Sequence, residues 1–368
     1  MNNRKWSTVI GAIGLLVLIL DSRTGLLAAQ EGLNLCIITL IPSMFPFFLL
    51  SMILTSSLAG RSVRLLFPLG RITRIPQGAE SLLAIGLLGG YPVGAQNVLS
   101  AYHQGIISQE DAQRMAVFCN NAGPAFLFGY LSTVFDHPIY PWIIWGIHIF
   151  SALIVGSIIP RGSHQAILLP ESSPLTLSQS LNRALRVMGQ VCGWVILFRV
   201  LIGFCERWIF WAIPYTIRIT LTGLLELSNG CIMLSNLPSN GLRMVLSSTF
   251  LGFSGICVLM QTNSIAAPLK LGLYLPGKAL QACISFLLAY QLQFAIPHTN
   301  PCFISPFVVG IVGIMGLSLL IFLRKKEIPV AIFHNLLYNQ ASCKKRRTIC
   351  SSGKKLKNPV PTVLSAPN

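Results

Sequence analysis

Between residues 279 and 323 the chain carries no Asp, Glu, Lys or Arg. A bilayer-spanning helix needs about 20 consecutive apolar residues, and a core helix of a soluble protein is shorter and keeps a polar face. A charge-free run of this length therefore predicts two helices that use lipid as their solvent. Composition agrees: 53% of the 368 residues are hydrophobic, 10% are charged and mean hydropathy is +0.68, against about 25% charged in a water-soluble domain. The net charge of +17, from 27 Lys and Arg against 10 Asp and Glu, is accordingly read as a topology label before it is read as a nucleic-acid signal.

Other weakly charged stretches lie at 7–20, 35–59, 81–102, 115–135, 138–160, 187–213, 219–237 and 244–269. The first also fits a signal peptide, with Arg4 and Lys5 as its basic flank and Ala28 and Ala29 as a small-residue cleavage zone. An uncleaved span is favoured, because a polytopic chain needs no separate export signal. The stretches at 81–102, 115–135 and 244–269 suit plain helices poorly, since Gly and Pro interrupt each of them. Cytoplasmic loops are rich in Lys and Arg. That rule places inside the amino terminus, the loop with Arg61, Arg64, Arg71 and Arg74, the polar connector 161–186, and the tail. The expected fold is all-α and polytopic, with about eight spanning helices and two re-entrant glycine-rich hairpins, at 81–102 and 244–269. The domain boundaries are a first membrane half at 1–160, the connector at 161–186, a second, related half at 187–323, and a basic tail at 324–368. Whether the repeat is parallel or inverted stays open.

Two glycine-rich elements occupy corresponding places in the halves: LGGYPVGAQN at 88–97 and LGFSGICVLMQTN at 251–263. Each begins Leu-Gly and ends in a Gln and Asn pair. Unwound backbone in hydrocarbon leaves N–H and C=O groups unpaired unless protein, water or a solute completes them, so broken segments in both halves point to a binding site near the midplane. The candidate solute contacts in the first element are Gly89, Gly90, Tyr91, Pro92, Gly94, Gln96 and Asn97; in the second they are Gly252, Ser254, Gly255, Gln261 and Asn263. The stretch FCNNAGPAF at 118–126 adds Asn120, Asn121, Gly123 and Pro124. Amides offer donor and acceptor on one group, which suits a neutral polar solute. The competing reading is that these residues only allow close helix packing.

GGYPVGAQ, the polar helix through Ile107, Ser108, Glu110, Asp111 and Arg114, and then FCNNAGPAF resemble the pattern of nucleoside-recognition, or Gate-domain, membrane proteins. Within these the resemblance is to the YlbJ-like sporulation integral membrane protein family, whose second-half motifs LLELSNG at 224–230 and LGFSGICVLMQ resemble. The resemblance covers about 33–323. It implies a membrane protein of endospore-forming bacteria needed for spore formation, with a role in moving or sensing a small, nucleoside-like solute. The expected localisation is a multi-pass cell-membrane protein, in the forespore or mother-cell membrane during sporulation. The alternative function is a non-transporting structural or recruiting protein of the spore envelope.

Among ionisable groups, Glu226 lies mid-segment between Arg218 and Arg243. A carboxylate at that depth reads as an ion or proton coupling site, or as the partner of one of those arginines. Glu206, beside Arg207 and Trp208, reads as interfacial pairing, and His148 as a packed, singly hydrogen-bonded histidine. GFSG at 252–255 has the shape of an intramembrane serine protease motif, but His298 falls in a turn and not on a helix facing the serine. No enzyme, catalytic residue, cofactor or metal site is expected; the ten cysteines form no C-x-x-C pair. Ten of the 27 cations lie beyond Leu323 and face only Glu327 there, so that tail reads as disordered and bound to anionic lipid, not nucleic acid. The expected partners are membrane lipids and a small polar solute, with a homo-oligomer or other sporulation membrane proteins left open.

Overall fold

A computed structural model of the chain describes residues 2–58, 63–76, 78–159, 175–266, 271–296 and 300–325. The tail beyond residue 325, His298, Arg61 and residues 160–174 of the connector lie outside them. Every regular element among the described residues is helical. Helix α1 (Asn2–Leu20) is followed by α2 (Ser22–Leu35), whose first turn is capped by the Asp21 side chain. A π-helical turn, Cys36–Leu40, joins α2 to α3 (Ile41–Leu58). The wider turn sits just before Pro42 and Pro46, whose missing N–H groups prevent a regular ladder there. The result is one apolar helix, Ser22–Leu58, longer than the span expected at 35–59.

Short helices follow: α4 (Phe67–Thr73), α5 (Glu80–Gly89), α6 (Val93–His103) and α7 (Gln109–Cys119). Ser108 starts α7 by accepting from the Asp111 N–H, with Glu110 and Asp111 in the first turn, as its dipole favours. After an extended break at 120–123 the chain enters a π-helical turn, Ala125–Tyr130, and a 3-10 turn, Leu131–Val134, and then α8 (Ile139–Ile158).

Helix α9 (Leu177–Trp208) begins inside the expected connector, at a capping box formed by Thr176 and Gln179. Then come α10 (Tyr215–Leu225), α11 (Leu227–Met233), α12 (Asn240–Phe253), α13 (Gly255–Ala266), α14 (Tyr274–Leu292) and α15 (Pro306–Lys325). Four helical segments are long and apolar enough to cross a bilayer: Ser22–Leu58, Ile139–Ile158, Leu177–Trp208 and Asn240–Ala266. Shorter apolar helices, Gly11–Leu20, Glu80–Gly89, Ala125–Val134 and Val308–Leu323, accompany them.

The packing repeats itself. In the first half α3 packs on α5, α5 on α6, α6 on α7, and α7 on α8; in the second α9 packs on α10, α10 on α11, α11 on α12, and α12 on α14. Across the halves α7 packs on α14 and α12 on α8, α6 on α13, and the Leu131–Val134 turn on α11. Each half is thus one long helix, a pair of short packed helices, a broken helix and a closing helix. One expectation needs correction here. The paired short helices of the second half are α10 and α11, not the 244–269 stretch, which is the broken helix α12–α13. The segment 219–237 is correspondingly interrupted at Glu226, where no Gly or Pro signals a break.

Candidate functional site

Each short-helix pair ends in a tip, and each tip meets the break of its own half. In the first, Gly90 has φ +79 and its neighbour peptide Tyr91–Pro92 is cis. A Cβ on Gly123 would collide with the backbone of Leu88 and Gly90, so only glycine lets the break at 120–124 lie on this tip. In the second half the tip is Leu225–Leu227, and the positive-φ pair Ser254 and Gly255 forms the break. Gly255 packs against the backbone of Leu225 and Leu227.

Glu226 is the second tip. Its carboxylate accepts from the N–H groups of Ser228 (3.1 Å) and Asn229 (2.7 Å) and from Asn229 Nδ2 (2.7 Å), and so caps α11. The side chain is 2% exposed, and these donors compensate part of its lost hydration. Neither sequence neighbour pairs with it. Arg243 donates to the carbonyls of Leu237, Val134 and Ser235 and lies 3.7 Å from Asp136, while Arg218 sits over the Tyr215 ring. Glu206 is paired, with Arg199 at 3.0 Å, which also holds Glu31 of α2. The spacing of seven along α9 puts Arg199 and Glu206 on one face two turns apart.

Glu226, Tyr91, Gly123, Phe126, Ser228 and Gln261 line one cavity of about 30 Å³, together with Met44 of α3 and Val191 and Val195 of α9. That space holds about one or two waters. Both halves contribute: Tyr91 and Gly123 from the first tip and break, Glu226 and Gln261 from the second. Tyr91 Oη donates to the Leu251 carbonyl at 2.6 Å, and Tyr130 Oη to that of Ser228 at 2.8 Å, so two tyrosines of the first half close carbonyls of the second.

The two amides of the first break are engaged within the protein. Asn120 Oδ1 accepts from the Ala95 N–H at 3.2 Å, supplying the cap that Pro92 cannot give to α6. Its Nδ2 donates to Thr262 Oγ1 (3.1 Å) and Tyr274 Oη (2.7 Å). Asn121 donates to the Phe118 carbonyl (2.6 Å) and accepts from Gln281 Nε2 (3.1 Å) and Lys278 Nζ (3.3 Å). These bonds tie the first break to α13 and α14 of the second half. His148 Nε2 accepts from the Ala122 N–H at 3.0 Å and the ring is buried, as expected of a packed histidine.

Gly94 lies against the Cys119 carbonyl and Gly89 against Ser51. Gln96 and Asn97 sit on α6, Gln96 half-buried and Asn97 buried, and Pro124 is half-buried at the start of the π-helical turn. Gly252 lies against Ala282 of α14, a packing contact. Asn263 is exposed, one position beyond the buried Thr262 that faces Asn120, so it takes no part in the cluster.

Three buried groups escaped the sequence reading. Lys278, 1% exposed, donates to the Asn120 carbonyl, Asn121 Oδ1 and Gln281 Oε1. Gln281 joins it one turn along α14. Arg114, fully buried, donates to the carbonyls of Thr73, Arg74, Gly156 and Ile159, and closes the ends of α4 and α8. The sequence reading places it on a polar helix and gives it no buried role.

These features define an all-helical, multi-pass integral membrane protein whose centre is built from paired helix tips and helix breaks. The chain is similar to the sporulation integral membrane protein YlbJ of Bacillus subtilis strain 168, 27% identical over 283 aligned residues, which cover 65% of this chain and 69% of that protein. No protein-family model and no solved structure matches the chain.

Proposed function

We propose that this is a sporulation-associated membrane protein that binds and passes a small polar, nucleoside-like solute at a site between the two tips and the two breaks. The observation that carries the proposal is a cavity where Tyr91 and Gly123 of one half meet Glu226 and Gln261 of the other. Gln261 would read the solute by hydrogen bonding, Tyr91 and Phe126 would wall it, and Glu226 would couple an ion or proton. The similarity to a sporulation membrane protein supports the cellular setting.

The membrane arrangement follows from length. Helices α5 and α6, with 10 and 11 residues, and α10 and α11, with 11 and 7, reach at most ~17 Å each at about 1.5 Å per residue, against ~30 Å of hydrocarbon. Each pair therefore enters and returns on one side as a re-entrant hairpin. The crossing segments are then α1, α2–α3, α7 with its following turns, α8, α9, α12–α13, α14 and α15. With the amino terminus inside, eight crossings put the loop after α3, the connector and the tail inside, as their charge requires. With α1 and α15 set aside, the repeating unit is three crossings in each half, which makes the repeat inverted, with its site at the interface of the halves.

Uptake into proteoliposomes across a panel of nucleosides and related metabolites tests this. Saturable uptake by wild type, at least tenfold weaker in Gln261→Ala and Glu226→Gln and unchanged in Asn263→Ala, is expected. No uptake of any member, or three variants that match wild type, would leave the structural spore-envelope reading in its place. A sporulation assay with protein levels measured alongside then separates loss of function from loss of protein.

A further inference from the structure

The break in the first half ends helix α7 inside the protein, and a helix that stops there leaves carbonyls unpaired and a partial negative charge at its end. Dissociable cations often settle at such ends in transport proteins. Here the position is filled by the chain itself. Lys278, on the first turns of α14, brings its ammonium to the Asn120 carbonyl just past α7, with Asn121 Oδ1 at 3.3 Å and Gln281 Oε1 at 2.9 Å. An ammonium has three donors, and three oxygens receive them. The Tyr91 ring, 5.4 Å away, presents its face to the same charge. The group is 1% exposed and has no carboxylate partner among these contacts. Three oxygens from a helix end and two amides, next to an aromatic face, are the ligand set of a small monovalent cation.

We infer that the Lys278 ammonium is a tethered cation occupying a monovalent-cation site at the first-half break, so that this half is held closed on α14 without any dissociable ion. Glu226, at the second-half tip, is then left as the position where an exchangeable cation or proton acts, and the two halves differ in function despite their common build. The inference does not depend on the solute, and its test uses none.

The full chain in nanodiscs is melted while tryptophan fluorescence is followed, in choline chloride and in ethylammonium chloride at equal ionic strength. Lys278→Met keeps the bulk and removes the charge; Lys278→Ala opens a space that an ethylammonium ion fits. Wild type is expected to melt alike in both salts. The Met variant should melt several degrees lower in both, and the Ala variant should fall at least as far in choline and recover more than half of that loss in ethylammonium. A Met variant that melts with wild type, or an Ala variant that ethylammonium restores no better than choline, overturns the inference. Should neither neutral variant accumulate, Gln281→Leu decides: it keeps the ammonium and takes one acceptor, a fall of a few degrees is expected, and unchanged melting overturns the proposal.

Discussion

Replacing Asn120 by alanine removes the bonds that hold the first break to both its own half and the other. Three bonds go at once: Ala95 N–H to Oδ1 at 3.2 Å, and Nδ2 to Thr262 Oγ1 and Tyr274 Oη at 3.1 and 2.7 Å. Asn120 is fully buried, so water does not replace them. A buried donor or acceptor left unpaired costs about 1–3 kcal/mol in soluble proteins, and interhelical bonds in a membrane protein average about 0.6 with a maximum near 1.7 kcal/mol. Thr262 Oγ1 and Tyr274 Oη lie 3.4 Å apart and partly compensate each other. The expected loss is therefore about 2–5 kcal/mol, a large share of the roughly 5–15 kcal/mol that holds a folded domain. Equilibrium unfolding in mixed micelles measures it, with the exposed Asn263→Ala as the control expected within about 0.5 kcal/mol of wild type. A double-mutant cycle with Tyr274→Phe should return a coupling of about 0.5–2 kcal/mol, as for groups in contact. A loss below about 1 kcal/mol, or no coupling, would refute the view that Asn120 braces the two halves.

Other substitutions probe other parts of the account. Glu226→Gln puts amide donors against the N–H groups that the carboxylate accepts from, and should cost about 1–3 kcal/mol in the same unfolding assay. Arg114→Met strips the donors from four carbonyls and should cost about 3–5 kcal/mol, read as a fall in steady-state abundance; Arg114→Lys restores only part, lacking the planar fork. Gly123→Ala places a methyl against backbone of Leu88 and Gly90 that has no side-chain freedom to yield, and should lose about 1–3 kcal/mol, whereas Gly146→Ala, facing open space, should leave folding unchanged.

Much of this was written in the sequence where punctuation is explicit. Gly90 and Pro92 mark the first tip, Asn120 to Pro124 the first break, and the charge-free run before Arg324 the last helices. The second half speaks less clearly. LLELSNG contains no proline and its one glycine lies after the turn, so the break at Glu226 rests on a glutamate acting as a helix cap, a role that Ser, Thr, Asp and Asn announce far better. The glycines of GFSG suggested a hairpin where the structure has a broken helix, because Gly252 serves contact with α14 and only Ser254 and Gly255 turn the chain. Lys278 lies at the edge of an uncharged run, where a lysine ordinarily extends to the interface; that it points inward depends on Asn120 and Asn121 of the break after α7, distant in sequence. The same holds for Arg114, whose four acceptors lie at the ends of α4 and α8 and on the residue that follows each. Amide pairs were legible as polar groups in lipid, but which ones face the cavity was decided by helix phase: Gln261 points in and Asn263, two positions on, points out.

The claim at the centre is that a solute sits between the two tips. An experimental structure determined with the solute that the uptake panel selects addresses it most directly. Density is predicted between Gln261, Tyr91 and Glu226, with Met44, Val191 and Val195 displaced to enlarge a cavity that now measures about 30 Å³. Density elsewhere, with this cavity unchanged at saturating solute, would contradict the account.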